Sequence, residues 1–428
     1  MPWPWLVIIA IALLLFVAFL WALKRFLRRP EPILPIQYSK KEPSVPFFIK
    51  PFDTDVVFNY KNPYLDGQSD AWRQGMARVG EVLDDSNVTH AYFVHGTLVG
   101  DDPFGLIPAL RRIHREMDPN TEFKIRQKIK RGYDHLTRDT GNYLEEYVDL
   151  FRLASGARTQ CQIFTWSSAN HHLARLMGSI YLIERLAGDL PDIPVSRILL
   201  VGHSHGGQIF ALFSHIINQT HLGNSLLDIL EEHDRIGPSI RRAVAKLKKF
   251  SYDIGTFGTP HRYPWRLTKR MRLINVINHR GKTHLAEKPL GFWKTAGGDY
   301  VQQWGIAGSD SLAQSSQDRK INREIDKLLG PGVDPKGWLE NVAKGMRVQE
   351  FGTTYLVDYR DSGIMVPNFM KTVFGHGVYT RYEVMLFNAQ LMCDEFYPDK
   401  RTKPQLKRKN ASFDNQIQSL PPPTKQEQ

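Results

Sequence analysis

The segment formed by residues 197–210 constrains the fold of this chain more than any other stretch. Residues 198–201 are a continuous apolar run, which is typical of a strand covered on both faces in a parallel sheet. Glycines then surround Ser204, and apolar residues recur at helical spacing from Ile209 onwards. The segment therefore predicts a buried strand, a tight turn and a helix, and with them an α/β fold.

The turn in this segment carries a recognisable pattern. Residues 202–206 read Gly-His-Ser-His-Gly, which fits the G-x-S-x-G pattern of a nucleophile on a sharp strand-to-helix turn. Such a turn strains the serine backbone, and glycine neighbours allow the chain to pack closely around it. A glycine-rich turn that merely contains a serine is the structural alternative. The flanking strand and helix favour Ser204 as a nucleophile.

A serine nucleophile needs a base within hydrogen-bond reach and a third group that orients the base. In this arrangement the chain order is serine, acid, histidine. His376 stands between two glycines on a loop before the last helix and is the predicted base. Asp361 follows a predicted strand and is the predicted acid. Asp358, placed within that strand, is the alternative.

A second strand end, at His95-Gly96, precedes the serine in the chain. An oxyanion loop belongs at such a position in this kind of sheet. The amide of His205, the residue after the nucleophile, is one predicted oxyanion donor. Thr97 is predicted to supply the other, with Leu98 as the alternative. Each donor of this type lowers a reaction barrier by about 3 kcal/mol.

These motifs and the turn Gly258-Thr-Pro260, taken in this order, resemble the α/β-hydrolase superfamily and its lipase and esterase branch. The resemblance covers residues 88–396. It implies a mostly parallel, doubly wound sheet with helical insertions. It also implies cleavage of carboxylic esters by a Ser204–His376–Asp361 triad through an acyl-enzyme, with no metal or organic cofactor. A non-catalytic binding or scaffold protein on the same fold is the alternative class.

The N-terminal segment predicts a membrane anchor. Residues 3–23 carry no charge, and that length suffices to span the hydrocarbon core as a helix. No basic region precedes the span and no Ala-x-Ala follows it, which favours an uncleaved anchor over residues 1–29. Basic residues after the span place the globular domain on the cytoplasmic side. The bilayer is then a predicted partner, and a lipid or other long-chain acyl ester is the favoured substrate. A lipase-type effector or toxin is a further alternative.

The remaining chain divides by composition. A proline-rich spacer is predicted for residues 30–60, the hydrolase domain for 61–398 and a disordered basic tail for 399–428. Helical insertions are predicted near 222–250, where a helix pair could roof the site or pack elsewhere, and at 279–344, whose chemistry is not readable. The net charge of +12 comes without a nucleic-acid-binding motif. Attraction to an anionic membrane surface is therefore favoured over nucleic-acid binding.

Overall fold

The computed structural model describes residues 47–52, 56–107, 110, 117–192, 196–279, 298–344, 348–359 and 373–398. Within them, the strands are Phe47–Pro51 (β1), Val88–Val94 (β2), Gln160–Phe164 (β3), Arg197–His203 (β4), Ser251–Phe257 (β5), Met271–Asn278 (β6) and Thr353–Asp358 (β7). They form one sheet in the order β1-β7-β6-β5-β4-β2-β3. Every neighbouring pair is parallel. The predicted α/β fold with a parallel sheet is confirmed.

Helices cover both faces of the sheet. The helices of the described residues are Asp70–Asp85 (α1), Pro119–Thr137 (α2), Glu145–Ser155 (α3), His172–Asp189 (α4), His205–Ile217 (α5), His221–Glu232 (α6), Ser239–Leu247 (α7), Tyr300–Trp304 (α8), Ser316–Leu329 (α9), Pro335–Lys344 (α10) and Met385–Phe396 (α11). In β4, Leu200 packs with α4 to α7, whereas Leu199 and Val201 pack with α1, α3 and α11. Successive side chains of a strand point to opposite faces, so a strand buried on both faces is apolar over most of its length.

The first strand departs from the sequence prediction. Residues 47–51 lie within the stretch 30–60 predicted as a spacer, and they pair with β7 from Phe47 opposite Thr354 to Pro51 opposite Asp358. A proline is tolerated here because β1 lies at the sheet edge, where its missing N–H breaks no ladder hydrogen bond. Residues 47–51 therefore form part of the central sheet.

The two helices predicted near 222–250 are present as α6 and α7. Their apolar side chains, among them Leu230 and Val244, are buried in one core cluster with α4, α5 and the strands β4 and β5. Of the two interpretations, this packing fits the structural helix pair rather than a roof over the site.

The membrane-anchor prediction falls on residues 1–29, which lie outside the described residues, as do residues 30–46 and the predicted tail at 399–428. Across the part of the chain that the structure describes, none of the helices combines the length and apolarity that a membrane crossing requires.

A buried ionic cluster ties the segment after residue 298 to the body of the fold. Asp310 Oδ2 lies 2.6 Å from an Nη atom of Arg175 on α4 and 2.7 Å from an Nη atom of Arg262, which follows β5. The side chains of all three are almost fully buried. Tyr263 adds a hydroxyl 2.7 Å from Arg175 Nε. Two guanidinium groups thus share one carboxylate, so the cluster depends strongly on Asp310.

Replacing Asp310 by alanine is expected to destabilise the fold by about 3–5 kcal/mol, because it leaves two buried guanidinium groups facing each other without a counter-ion. Urea unfolding followed by circular dichroism measures the free energy of unfolding. Asp228 pairs with Arg241 at a solvent-exposed position, and Asp228→Ala serves as the matched control with an expected loss below about 1 kcal/mol. Equal losses in the two variants would contradict the role given to Asp310.

Candidate active site

Ser204 lies between β4 and α5 with φ 54° and ψ −129°. A residue with a side chain rarely adopts such a backbone conformation, which is a form of local strain found at functional sites. Three hydrogen bonds hold it. The Ser204 amide donates to the carbonyl of Phe257 (2.8 Å), and the Ser204 carbonyl accepts from the amide of Gly207 (3.1 Å) and the hydroxyl of Thr259 (2.9 Å). The predicted tight strand-to-helix turn is present.

Two glycines permit the close packing at this turn. A Cβ on Gly206 would lie 2.7 Å from the carbonyl oxygen of Val94, and a Cβ on Gly96 would lie 2.5 Å from Ser204 Cβ. Neither distance is sterically possible without movement of backbone or of the serine. The end of β2 therefore comes into direct contact with Ser204, as the order of the strands requires.

His376 is held by a buried carboxylate. Its Nδ1 lies 2.8 Å from Asp299 Oδ2, and the Asp299 side chain has no solvent exposure. Asp299 Oδ2 also accepts from the Tyr379 hydroxyl at 2.7 Å, while Oδ1 accepts from the Gln302 amide at 2.8 Å. Because a carboxylate oxygen accepts, Nδ1 of His376 carries the hydrogen and Nε2 is left with its lone pair. That tautomer is the one a general base needs.

The His376 loop lies against the residue that precedes the serine. The ring centroids of His376 and His203 are 4.6 Å apart, and the two residues are also joined by a hydrogen bond. The structure therefore brings the predicted base to the end of β4, beside the turn that carries Ser204.

The carboxylate that contacts His376 belongs to a residue that the sequence did not predict as the acid. Asp361 lies outside the described residues, and Asp358 is the last residue of β7, within the strand as expected. The carboxylate on His376 Nδ1 is that of Asp299, which the sequence interpretation missed because it falls in the segment 279–344. Chain order alone allowed it, since Asp299 lies between Ser204 and His376.

The two predicted oxyanion donors lie on facing segments. His205 is the first residue of α5, so its amide is one of the helix's N-terminal donors. Thr97 lies in the turn after β2, and its hydroxyl is 2.9 Å from Nδ1 of the His205 ring. The amide of Leu98 instead donates to the carbonyl of Ser168 at 3.4 Å. This contact favours Thr97 over Leu98 as the second donor.

The loop that carries Thr97 is fastened to the segment after β3. The Ser168 hydroxyl donates to the carbonyl of Gly96 at 2.7 Å, and the indole N–H of Trp166 donates to the carbonyl of His95 at 2.9 Å. Burial lowers the pKa of His95 to about 3, so that its imidazole is neutral near pH 7. The loop is thus a rigid, charge-free support for any donor it presents.

A cavity of about 390 Å³ lies beside this loop, between residues 101–105, α4 and residues 311–318. Most of its charged wall residues are in ion pairs, as in Arg126 with Asp101 and Arg235 with Asp318, and the Asp102 carboxylate accepts from the amide of Leu106. Neither Ser204 nor His376 is among the described residues that line it. No group of three or more potential metal-ligating side chains is present in the described residues.

No known protein family matches the sequence, and no curated protein shows significant similarity to it. The fold class is α/β with a parallel sheet, and the function has to be argued from the strained serine, the paired histidine and their surroundings.

Proposed function

We propose that this protein is a serine hydrolase of the α/β-hydrolase type that cleaves carboxylic esters. The observation that carries the proposal is the buried hydrogen bond of 2.8 Å between His376 Nδ1 and Asp299 Oδ2, beside a serine held at φ 54°. A buried Asp–His pair fixes the imidazole tautomer, and a strained strand-to-helix turn exposes a nucleophile to its base. Asp299 is the triad acid in this proposal.

The proposed reaction has two steps. His376 Nε2 removes the proton of the Ser204 hydroxyl as the oxygen attacks the ester carbonyl, and the oxyanion accepts hydrogen bonds from the amides of His205 and Thr97. His376 then protonates the leaving alcohol, and an acyl-enzyme remains. Water deprotonated by His376 attacks the acyl-enzyme, the bond between the acyl carbon and Ser204 Oγ breaks, and His376 returns the proton to that oxygen as the carboxylic acid leaves. Asp299 orients the imidazole and stabilises its protonated form.

A lipid or another long-chain acyl ester is the proposed substrate. Exposed apolar side chains near the loop of Thr97 support it, namely Leu98, Phe104, Leu106 and Leu312, each more than half exposed. Exposed apolar side chains of this kind favour contact with an apolar substrate or its membrane. The predicted anchor at residues 1–29 would keep the site close to a bilayer.

The nucleophile is tested with a fluorescent fluorophosphonate, which labels an activated serine covalently. We expect labelling of the wild-type protein and none of Ser204→Ala, with Ser239→Ala, at an exposed helix terminus, labelled like wild type. A panel of p-nitrophenyl esters of increasing chain length then measures substrate preference, with Ser204→Ala as the blank. Folded wild-type protein that neither reacts with the probe nor hydrolyses any ester would favour the non-catalytic scaffold function instead.

The proposed location is a bilayer, with residues 1–29 as a single-pass anchor and the globular domain on the cytoplasmic side. The support is the basic residues Lys24, Arg25, Arg28 and Arg29 directly after the apolar span. Protease added to intact cells is expected to leave the domain uncut. Cleavage before lysis would place the domain outside and favour the effector or toxin alternative.

A further inference from the structure

We propose that the two histidines flanking Ser204 are positioning residues, with His203 fixing the loop of the base and His205 fixing the oxyanion loop. This inference rests on the proposed function. Both side chains are buried, and neither is the base of the proposed reaction. The His203 side chain contacts the loop of the base, and the His205 side chain contacts the oxyanion loop.

His203 holds the backbone of the base itself. Its Nε2 lies 2.9 Å from the carbonyl oxygen of His376. A carbonyl only accepts, so Nε2 carries the hydrogen and donates it. The same loop is held from a second side, because the amide of Gly141 donates to the carbonyl of Gly377 at 3.1 Å. The His203 and Gly141 bonds thus fix the backbone of the His376 loop, and the Asp299 bond on Nδ1 fixes the orientation and tautomer of the imidazole.

The burial of His203 supports this role. Desolvation, and the nearby His376 imidazole when it is charged, hold the pKa of His203 well below its ordinary value. A neutral His203 places no positive charge beside the base. A charged residue at this position would oppose the protonation of His376 that the proposed reaction requires.

His205 contacts the oxyanion loop through its ring. Nδ1 and the Thr97 hydroxyl are 2.9 Å apart and form a hydrogen bond, whichever atom carries the shared hydrogen. On the other side of the ring, a Cβ on Gly305 would lie only 3.2 Å from His205 Cε1. The ring is thus packed between the loop after β2 and the segment after α8. It keeps Thr97 at a fixed distance from the first turn of α5, where the His205 amide lies.

These contacts assign different consequences to the two positions. Loss of the His203 donor would loosen the His376 loop and weaken the Asp299–His376 bond. That change lowers the pKa of the base, which moves the acidic limb of the kcat/KM profile to lower pH. Loss of the His205–Thr97 bond would displace an oxyanion donor without touching the base. A shift of about 1 Å at such a site costs about a hundredfold in rate.

The experiment uses the full-length protein and compares His203→Phe, His203→Gln, His205→Phe and Thr97→Val. For His203→Phe we expect kcat to fall about tenfold to a hundredfold with KM little changed, together with the shifted acidic limb. His203→Gln restores much of the rate, because its amide can donate to the His376 carbonyl. His205→Phe and Thr97→Val weaken binding of a trifluoromethyl ketone inhibitor, which mimics the oxyanion, and leave the limb in place. The double variant His205→Phe/Thr97→Val is expected to bind the inhibitor no more weakly than the weaker-binding single variant, because both substitutions remove the same hydrogen bond.

Thermal unfolding establishes that each variant is folded. If a phenylalanine variant does not fold, the same measurements are made on His203→Gln and Thr97→Val. Rates, profiles and inhibitor affinities within twofold of wild type in folded variants would overturn the positioning roles. Equal losses in His203→Gln and His203→Phe with an unshifted limb would overturn the role of His203 in the same way. In either case the wild-type protein would still react with the fluorophosphonate at Ser204. Absence of that reaction marks failure of the proposed function instead.

Discussion

Asp299→Asn is expected to lower kcat for ester hydrolysis by about 10⁴-fold, the loss typical of a triad whose carboxylate becomes an amide. Asp299 now accepts from His376 Nδ1, the Tyr379 hydroxyl and the Gln302 amide. In the asparagine variant the amide N–H₂ facing Nδ1 donates to it, so the hydrogen of the imidazole moves to Nε2. The nitrogen that should receive the serine proton then has no lone pair. Steady-state kinetics on a p-nitrophenyl ester measures the effect.

Two matched controls come from the same chain. Asp358→Asn and Asp361→Asn make the same chemical change at the acids that the sequence alone favoured, and both are expected to keep wild-type kcat within a few fold. Circular dichroism and thermal unfolding establish that the Asp299 variant retains its fold. A thousandfold loss in Asp361→Asn with an active Asp299→Asn would refute the assignment of Asp299 and restore the original acid.

The central sheet could be predicted because its inner strand β4 carries a continuous apolar run and the neighbouring strand β2 is largely apolar. Residues in β4 and β5 bury side chains on both faces, and a run such as 198–201 has few alternatives to a doubly covered strand. The edge strand β1 could not be predicted in the same way. Its sequence, Phe-Phe-Ile-Lys-Pro, lies in a proline-rich stretch, and only its pairing with β7 gives it a regular structure.

The candidate site likewise contains residues that the local sequence marks and an acid that it does not. Ser204 and the oxyanion loop are marked by local constraints, since glycine is needed wherever the backbone of β2 approaches the serine. The acid is not marked locally. A carboxylate that completes a triad needs only to reach His376, and its place along the chain depends on how long connections fold. Asp299 reaches it because its amide donates to the carbonyl of Asn278, at the end of β6, at 2.9 Å.

Four buried imidazoles are expected to make the stability of the fold depend strongly on pH. Burial lowers the pKa of His95 and of His172 to about 3 and holds the pKa of His203 and His205 well below 6.5. All four are neutral in the folded protein near pH 7. Once the chain unfolds, they take up protons at their ordinary pKa, near 6.5.

The free energy of unfolding is therefore expected to fall steeply as the pH drops below 6.5. The sign follows from the direction of the shifts: the folded pKa values are depressed, so below pH 6.5 the unfolded chain binds more protons than the fold does. Stability rises with pH wherever that holds. The contribution of these histidines is intact above pH 6.5 and is lost progressively towards pH 3, where His95 and His172 would protonate in the fold. Each histidine lowers the free energy of unfolding by up to about 1.4 kcal/mol for each pH unit in this range.

Urea unfolding at intervals between pH 7.5 and 5.0 measures this slope. His172→Gln tests its origin, because glutamine offers hydrogen-bonding groups for the Tyr263 hydroxyl and the Gly330 carbonyl, which now contact the imidazole at 2.5 Å and 3.1 Å, and cannot titrate. The variant is expected to be less stable at pH 7.5. Its free energy of unfolding should fall less steeply with decreasing pH, by up to about 1.4 kcal/mol per pH unit, which is the contribution of one proton. A slope identical to wild type would show that His172 takes no part in acid unfolding. Because His203 and His205 flank the nucleophile, the same protons that unfold the chain disrupt the contacts that hold its proposed catalytic loops.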